Sequence, residues 1–415
     1  MSGGAGAVRR ATRLVSPAGA CASPSASPHE PRLASVQHLY VHLPFCASRC
    51  GYCDFVTVVG RRGSHGAYVD AVVAELELER PLLAPELETV FLGGGTPTFT
   101  EAAELERLLG ALPPAADVTV EANPETVTAE LAALLRRGGV TRVSLGAQTF
   151  SARLLRVLER RCAPDDVRRA VHTLRDAGFD NISLDLIYGI PGQGPADLDR
   201  DLDEALGLEP EHLSCYELEA KPGTRFTHEH GVELERQAEA MEDYFERVVE
   251  RLTTEGFRWY ETANFCLPPE RGAGRDLRSR HNLAYWLGRD YLGVGIGAVS
   301  TVNGLRWRNA PSLARYVAAL ASSESPPREH EELDADTRCR ERVMLGLRLD
   351  EALPLEGLAT AIDADALARL EEHGLARRES TADAGEALTL TRRGRFLGGG
   401  VTAELLTEPA VASRS

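Results

Sequence analysis

The sequence contains no run of about 18 consecutive apolar residues, so no membrane-spanning helix is expected. It also lacks any basic excess. A formal net charge of −16 over 415 residues has the wrong sign for a general nucleic-acid binder, and none is expected as a partner. The paired spacing of a disulfide framework is missing too. Of the eight cysteines (Cys21, Cys46, Cys50, Cys53, Cys162, Cys215, Cys266 and Cys339), those outside one short run are widely scattered. That distribution suits a reducing compartment, and the expected location is cytoplasmic. Residues 1–35 have no acid before Glu30 and no apolar core of a secretory signal. Their Arg- and Ser-rich makeup is superficially like an organellar transit peptide. The expectation is a disordered extension or a misassigned start.

What the chain does have is concentrated between Leu39 and Phe55, which read LYVHLPFCASRCGYCDF. Cys46, Cys50 and Cys53 follow an apolar alternating stretch. No fourth cysteine or histidine comes close behind them. A structural zinc takes four protein ligands and an iron–sulfur cluster usually takes four thiolates. Three thiolates on a cluster leave one iron with an open position for a further ligand. Buried incidental cysteines, or a zinc site completed from afar, are the blander alternatives.

Beyond this run, strand-like and helical segments alternate. Strands are expected at Leu39–Phe45, Thr89–Leu92, Val118–Ala122, Arg142–Gly146, Asn181–Tyr188 and His212–Leu218. Helices are expected at Tyr68–Leu83, Glu101–Leu109, Thr128–Arg137, from Ser151, at Asp165–Ala177 and at Ala196–Gly207. Six β-α units imply a parallel sheet with right-handed crossovers. Unusual residues sit where every strand meets its loop, not at one switch point, which favours a partial (β/α)6 barrel of the TIM type over an open doubly wound sheet. A long helix (Glu233–Glu255), a strand (Phe257–Glu261) and a Gly-punctuated strand (Tyr291–Ala298) come next. From Asp334 the pattern is a helix, two short helices (Leu355–Ile362 and Ala364–Glu372) and a strand-turn-strand (Leu375–Leu390). That order suits a winged-helix-like module, taken as structural or partner-binding because the segment before the wing is acidic.

The spacing of Cys46, Cys50 and Cys53, with Tyr52 just before the third, resembles the signature of the radical S-adenosylmethionine (SAM) family. The resemblance implies that the three thiolates hold a 4Fe–4S cluster and that SAM chelates its fourth iron. Gly93-Gly94-Gly95-Thr96-Pro97-Thr98 ends a strand and exposes backbone to close approach. One unit after the cysteines, it is similar to the family's glycine motif, which implies that the backbone of Gly94, Gly95 and Thr96 pairs with the methionine end of SAM. In that frame Glu121, Gln148, Arg160 and Asp185 complete the SAM shell. Asp185, an acid inside an apolar strand, requires a partner in any case. Tyr40 and His42 share one face of the first strand. Tyr40 is either a satisfied core tyrosine or a contact to cluster or SAM.

The stretches LYVHLPFC, CGYCDF, FLGGGTPT, EANPE, SLGAQTF, NISLDLIYGIPGQ, HNLAYW and DYLGVGIGA together resemble the oxygen-independent coproporphyrinogen III oxidase group over about Leu39–Leu397. Within it they are most similar to the radical-SAM haem chaperone branch of the HemW type. Oxidases of the group carry a further cysteine two residues after the third, where this chain has Phe55. The HNxxYW motif (His281, Asn282, Tyr285, Trp286) is similar to one linked to haem in the chaperone branch. Its imidazole is either an iron ligand between aromatics or a hydrogen-bonded core histidine. Two departures stand out. Cys162 replaces a histidine of the branch, and Gly297-Ala298-Val299-Ser300 replaces a GAHS-like turn.

The resemblance implies a protein that binds haem and passes it to an acceptor protein. The alternative is an oxygen-independent coproporphyrinogen III oxidase acting on a porphyrinogen. The expected divisions are an extension over 1–35, the barrel over 36–265, a family-specific segment over 266–325, the winged-helix-like domain over 326–405 and a tail over 406–415.

Overall fold

The computed structural model describes residues 35–221, 224–381 and 385–407. The expected 1–35 extension and 406–415 tail lie outside these, apart from Ser35, Leu406 and Thr407. Six parallel strands stand side by side in chain order: β1 (His38–Leu43), β2 (Leu87–Gly94), β3 (Ala115–Ala122), β4 (Arg142–Gln148), β5 (Ile182–Tyr188) and β6 (His212–Glu217). Helices α1 (His65–Glu79), α2 (Ala102–Ala111), α3 (Ala129–Arg137), α4 (Ala152–Val157), α5 (Pro164–Asp176) and α6 (Pro195–Leu206) make the crossovers. This is the partial (β/α)6 barrel that the alternation predicts.

Burial explains the strands. On β1, Leu39, Val41 and Leu43 are fully buried, each contributing roughly 1.5–3 kcal/mol. The alternate residue Tyr40 lines the interior. At the β6 edge, β7 (Arg258–Glu261) and β8 (Asn264–Cys266) add antiparallel strands. At the other edge, β9 (Leu292–Val294) pairs parallel with β1. The sheet order runs from β9 to β7, and these two edge strands do not pair with each other among the described residues.

Of the expected strand Tyr291–Ala298 only Leu292–Val294 is one, the chain turning at Gly295 (φ 100°) and Gly297 (φ 69°), and two expected helices also differ. The long helix α7 spans Arg225–Thr254, starting before Glu233 and running through Gly231. Its start is set by the Thr224 side chain, which accepts from the Thr227 amide, and by fully buried Phe226 in the first turn. Leu355–Ile362 is not a helix but successive tight turns, closed by Leu358 N to Leu355 O and Ala361 N to Leu358 O. Gly357 adopts φ 76°, which ends any helical run there.

After the short helix α8 (Arg280–Trp286) comes an antiparallel sheet of β10 (Val299–Val302), β11 (Leu305–Asn309) and β12 (Arg328–Glu332). Helix α9 (Leu313–Ala321) lies between β11 and β12. Ile296, Val302, Trp307, Tyr316 and Leu320 join the barrel's apolar core. The C-terminal part is winged-helix-like. Helices α10 (Ala335–Gly346) and α11 (Ala364–Glu372) precede a hairpin of β13 (Ala376–Thr381) and β14 (Gly385–Leu390), and Leu353–Pro354 adds a third strand on β14. Its own core includes Val343, Leu367, Leu388 and Leu405. It is fastened to the barrel by a bidentate Arg258–Asp350 pair, both bonds 2.8 Å, and by the Arg395 guanidinium 3.6 Å over the Trp259 ring.

Candidate functional site

The carboxyl ends of the parallel strands meet at one rim, and the cysteine run leaves from the end of β1. Its loop is stapled shut. Phe45–Cys46 pairs with Val58–Val59, Val58 N donates to Pro44 O at 2.8 Å, and Gly60 N donates to Cys46 O at 2.9 Å. Phe45 anchors the near end, fully buried against His65 and Tyr68. His42 holds the return, its Nε2 lying 2.8 Å from Val56 O. A carbonyl can only accept, so Nε2 carries the proton. Burial lowers the His42 pKa to about 4, so the ring is neutral and Nδ1 must accept from the Tyr40 hydroxyl at 3.1 Å.

Cys46, Cys50 and Cys53 are free thiols, and burial raises the pKa of Cys46 and of Cys53. The Cys46 sulfur lies 3.4 Å from Thr96 Oγ1, which also accepts from Asn123 Nδ2 at 3.2 Å. Arg160 donates to Cys50 Sγ at 3.7 Å, to Asn123 Oδ1 at 2.9 Å and to Gly146 O at 2.8 Å, while its Nε is buried without a partner. Tyr52 is half-buried and packs towards Leu154, Ile187 and Phe226. Gln148 takes φ 65° at a bulge ending β4 and lines none of the cavities described below. At the end of β2, Gly94 N donates to Glu121 Oε2 at 3.1 Å. No side chain fits there. A Cβ on Gly94, at φ 110°, would stand 2.4 Å from His42 Cε1, and one on Gly95 would stand 2.5 Å from Pro44 O.

Inside the rim a cavity of about 200 Å³ is lined by Tyr40, Phe55, Phe91, Gly94, Glu121, Asp185, His281 and Tyr285, among others. A second, of about 240 Å³, shares Tyr40, Phe55 and Tyr285 with it and adds Tyr291 and the exposed Arg308. Phe55, at the mouth of both, is 63% exposed, a position no core aromatic occupies. Burial, reinforced by the Asp185 charge, pushes the Glu121 pKa up to about 7. Burial also raises that of Asp185, although Ser144 Oγ donates to both its oxygens at 3.1 and 3.2 Å. The partner that Asp185 requires is therefore a serine on the neighbouring strand.

His281 is 2% exposed, with Nδ1 2.7 Å from Thr89 Oγ1 and Nε2 2.8 Å from Tyr285 Oη. Burial lowers its pKa to about 3. Of the HNxxYW residues, Trp286 faces neither cavity; its ring lies under Arg348 at 4.5 Å. Sequence reasoning missed Arg142, Ser144, His212, Ser214 and Tyr216, which line the first cavity. A signal for them exists in the period-2 polar positions within apolar strands, as in Arg142-x-Ser144 and His212-x-Ser214-x-Tyr216.

Residues 40–205 match the model of the radical SAM superfamily, and residues 333–397 match that of the HemN C-terminal domain. The heme chaperone HemW of Mycobacterium tuberculosis is 37% identical over 387 residues, covering 89% of this chain and 94% of the relative. The heme chaperone HemW of Bacillus subtilis is 32% identical over 391 residues, covering 89% and 99%. The chain belongs to the HemW family. Among solved structures, coproporphyrinogen III oxidase (HemN) from Escherichia coli superposes with a TM-score of 0.72 at 22% identity, covering 89% of this chain and 90% of that one. That likeness is one of fold.

As a HemW-family radical SAM protein the chain takes a 4Fe–4S cluster and SAM, and the residues present fit them. The loop offers three soft thiols with no carboxylate or imidazole between them. The unpartnered Arg160 Nε and the glycine trough at Gly94-Gly95 lie beside it. Among the described residues no three His, Cys, Asp or Glu side chains are gathered for a single metal ion. No helix among them is long and apolar enough to cross a membrane.

Proposed function

We propose that this chain carries haem in the aromatic cleft at the barrel rim and hands it to an acceptor protein in the cytoplasm. The observation that carries the reading is the cleft itself. Tyr40, Phe55, Phe91, Tyr285 and Tyr291 surround two adjoining cavities too small to enclose a porphyrin but open to solvent, with Phe55 at the mouth. Identity of 37% and 32% to heme chaperones, over 89% of the chain in each case, supports it. Phe55, where the oxidases of the group have a cysteine, counts against the decarboxylating alternative.

In this reading Cys46, Cys50 and Cys53 hold the cluster. When bound, the cluster supplies an electron to the sulfonium of SAM. The chain's own residues position it. Gly94, Gly95 and Thr96 offer backbone to the methionine end, Arg160 presents its guanidinium beside Cys50, and Glu121 and Asp185 set negative charge opposite the cationic groups of SAM. Gln148, Tyr40 and Tyr52 border this shell. The three thiols release protons as they bind metal, so cluster assembly is favoured by alkaline pH.

The test is anaerobic reconstitution followed by haemin titration, SAM-cleavage measurement and an assay with coproporphyrinogen on one sample. Stoichiometric haemin uptake with no porphyrinogen consumed is the expected result. Failure to take up haemin overturns the proposal, and conversion of coproporphyrinogen replaces it with the oxidase.

The Glu121 assignment carries a pH dependence. Its pKa in the folded chain is about 7 against an ordinary 4.5, so between these values the folded state holds a proton that the unfolded state has lost. Stability from this group is therefore present at low pH and lost as pH rises through about 7. SAM, being cationic there, prefers the ionised form. Its affinity is expected to rise with pH by up to about tenfold per unit below that pKa and level off above it. Titrations of wild type and Glu121→Gln across this range check it; an equal slope in both removes Glu121 from the SAM contact.

A further inference from the structure

We infer that the outer face of the cysteine loop, where Arg49, Arg61, Arg62 and Arg161 accompany an exposed Val59, is the docking surface for an acidic one-electron carrier protein. The inference rests on Cys46, Cys50 and Cys53 holding the cluster, and it adds the partner that reduces it.

Charge sets this face apart. The chain carries a net −16, and arginines on neighbouring elements are neutralised in place. Arg107 holds Asp70 at 2.5 Å, Arg153 holds Asp197 at 2.8 Å, Arg168 holds Glu204 at 2.7 Å and Arg225 holds Glu159 at 2.5 Å. Arg49, Arg61, Arg62 and Arg161 are all exposed, and among the described residues none of them makes an ion pair. Neutral groups hold three of them in place. Arg49 Nη2 donates to Cys53 O at 3.1 Å, Arg161 Nη1 donates to Ala47 O at 3.4 Å, and the Arg62 guanidinium lies 4.6 Å over the Phe99 ring. Arg62 and Arg161 also line, with Ala47 and Thr96, a cavity of about 350 Å³. Glu101 and Glu125 border that cavity too, while Asp54, the acid of the loop, is taken by Lys221 at 3.1 Å. Four unpaired cations against two carboxylates leave this face positive on an acidic molecule. An acidic partner is repelled elsewhere and steered here.

The face also has an apolar contact point above a cluster ligand. Val59 is 51% exposed and stands in register with Cys46 across the short parallel pair. The next amide, Gly60 N, donates to Cys46 O at 2.9 Å, so a partner touching Val59 is one hydrogen bond from a cysteine of the cluster. Redox encounters bury less than about 1,200 Å², which a single valine among charges can anchor. Each SAM cleavage uses one electron, and the carrier restores it. Its own centre is oxidised by one electron, the cluster is reduced by one, and no bond or proton of the chain changes. The haem acceptor has a different address. The cavity behind the loop shares no residue with the two rim cavities, and none of the four arginines lines either of those.

The test follows reduction of the cluster-loaded chain by visible bleaching and by its electron paramagnetic resonance signal. The donors are a reduced plant-type ferredoxin, as the acidic carrier, and photoreduced deazaflavin, as a small reductant. Wild type is compared with Arg61→Glu/Arg62→Glu/Arg161→Glu and with Arg315→Glu/Arg338→Glu/Arg393→Glu, an equal charge change at exposed arginines elsewhere. At low ionic strength the ferredoxin rate constant should fall about tenfold or more in the loop variant and little in the other. The wild-type rate should fall as salt is raised. Deazaflavin reduction and haemin uptake should be alike in all three. Singly, Arg61→Gln and Arg62→Gln should each slow ferredoxin by about twofold, so the result does not hang on the folding of a triple variant. A loop variant reduced by ferredoxin at the wild-type rate, or a wild-type rate indifferent to salt, overturns the docking face while leaving the cluster reading intact. A wild type that assembles no cluster on the three cysteines overturns both.

Discussion

Replacing Glu75 by leucine is expected to cost about 3–5 kcal/mol of folding stability, read as a lowered urea midpoint with an unchanged slope. Glu75 is fully buried on α1 and has four donors. Tyr316 Oη donates at 2.6 Å, Asn309 Nδ2 at 2.7 Å, Gly295 N at 2.8 Å and Arg328 Nη2 at 3.0 Å. Leucine fills most of the volume but leaves these donors facing carbon. Arg328 would retain Glu79 at 2.7 Å and Asn309 Oδ1 at 3.0 Å, which keeps the loss from being larger. Glu75→Gln preserves shape and some acceptor capacity and should cost less than half as much. The effect reaches the rim. Gly295 and Ile296 form the turn against which Tyr68 is set, Tyr68 Oη donating to His42 O at 2.7 Å and accepting from Ile296 N at 3.1 Å. Cluster retention should fall along with stability. If Glu75→Leu unfolds at the wild-type midpoint, the network does not hold the turn.

Gly94→Ala is expected to abolish measurable SAM uptake by cluster-loaded protein. The residue is at φ 110°, and its new Cβ would meet the His42 ring at 2.4–2.5 Å. That ring cannot retreat without giving up Val56 O on one side or Tyr40 on the other. Backbone strain of about 1–3 kcal/mol adds to overpacking of similar size. The strand end must shift, and with it the amide that bonds Glu121. Gly374→Ala separates strain from site geometry: its φ is also positive, 67°, but its Cβ would meet nothing within 4 Å. That control should lose stability modestly and bind SAM normally. Equal SAM binding by both variants would show that the trough at Gly94 is not used.

The barrel was legible because its information is local. VTVEA and ISLDLIYG are runs whose length and flanking turns admit little but buried strands, and β3 and β5 stand there. The expected helix at Leu355–Ile362 failed for a local reason also, since Gly357 between leucines was not weighed as a turn. The rim was legible only in part. Cys46, Gly94 and Glu121 announce themselves by being odd for a strand end, and Asp185 by being an acid inside an apolar strand. Thr89 does not: it is an ordinary β-branched strand residue until the fold brings His281, 192 positions away, within hydrogen-bond distance. Glu75 likewise reads as one acid among several on a surface helix, and only contacts with Gly295, Asn309, Tyr316 and Arg328 show it to be a core residue. Such pairings leave no trace in periodicity or spacing.

The openness of the rim cleft, with exposed Phe55 at its mouth, has a kinetic consequence for the proposed carrier. A closed pocket would oblige its passenger to leave before anyone could collect it, so delivery could never outrun spontaneous loss. A flat disc standing in an open-sided slot shows its far edge to the outside while still held. An acceptor can then seize it first, and the handover passes through a three-body intermediate whose rate climbs with acceptor concentration. Tight holding and quick delivery stop being opposites, and a hydrophobic, redox-active passenger is never set loose in water.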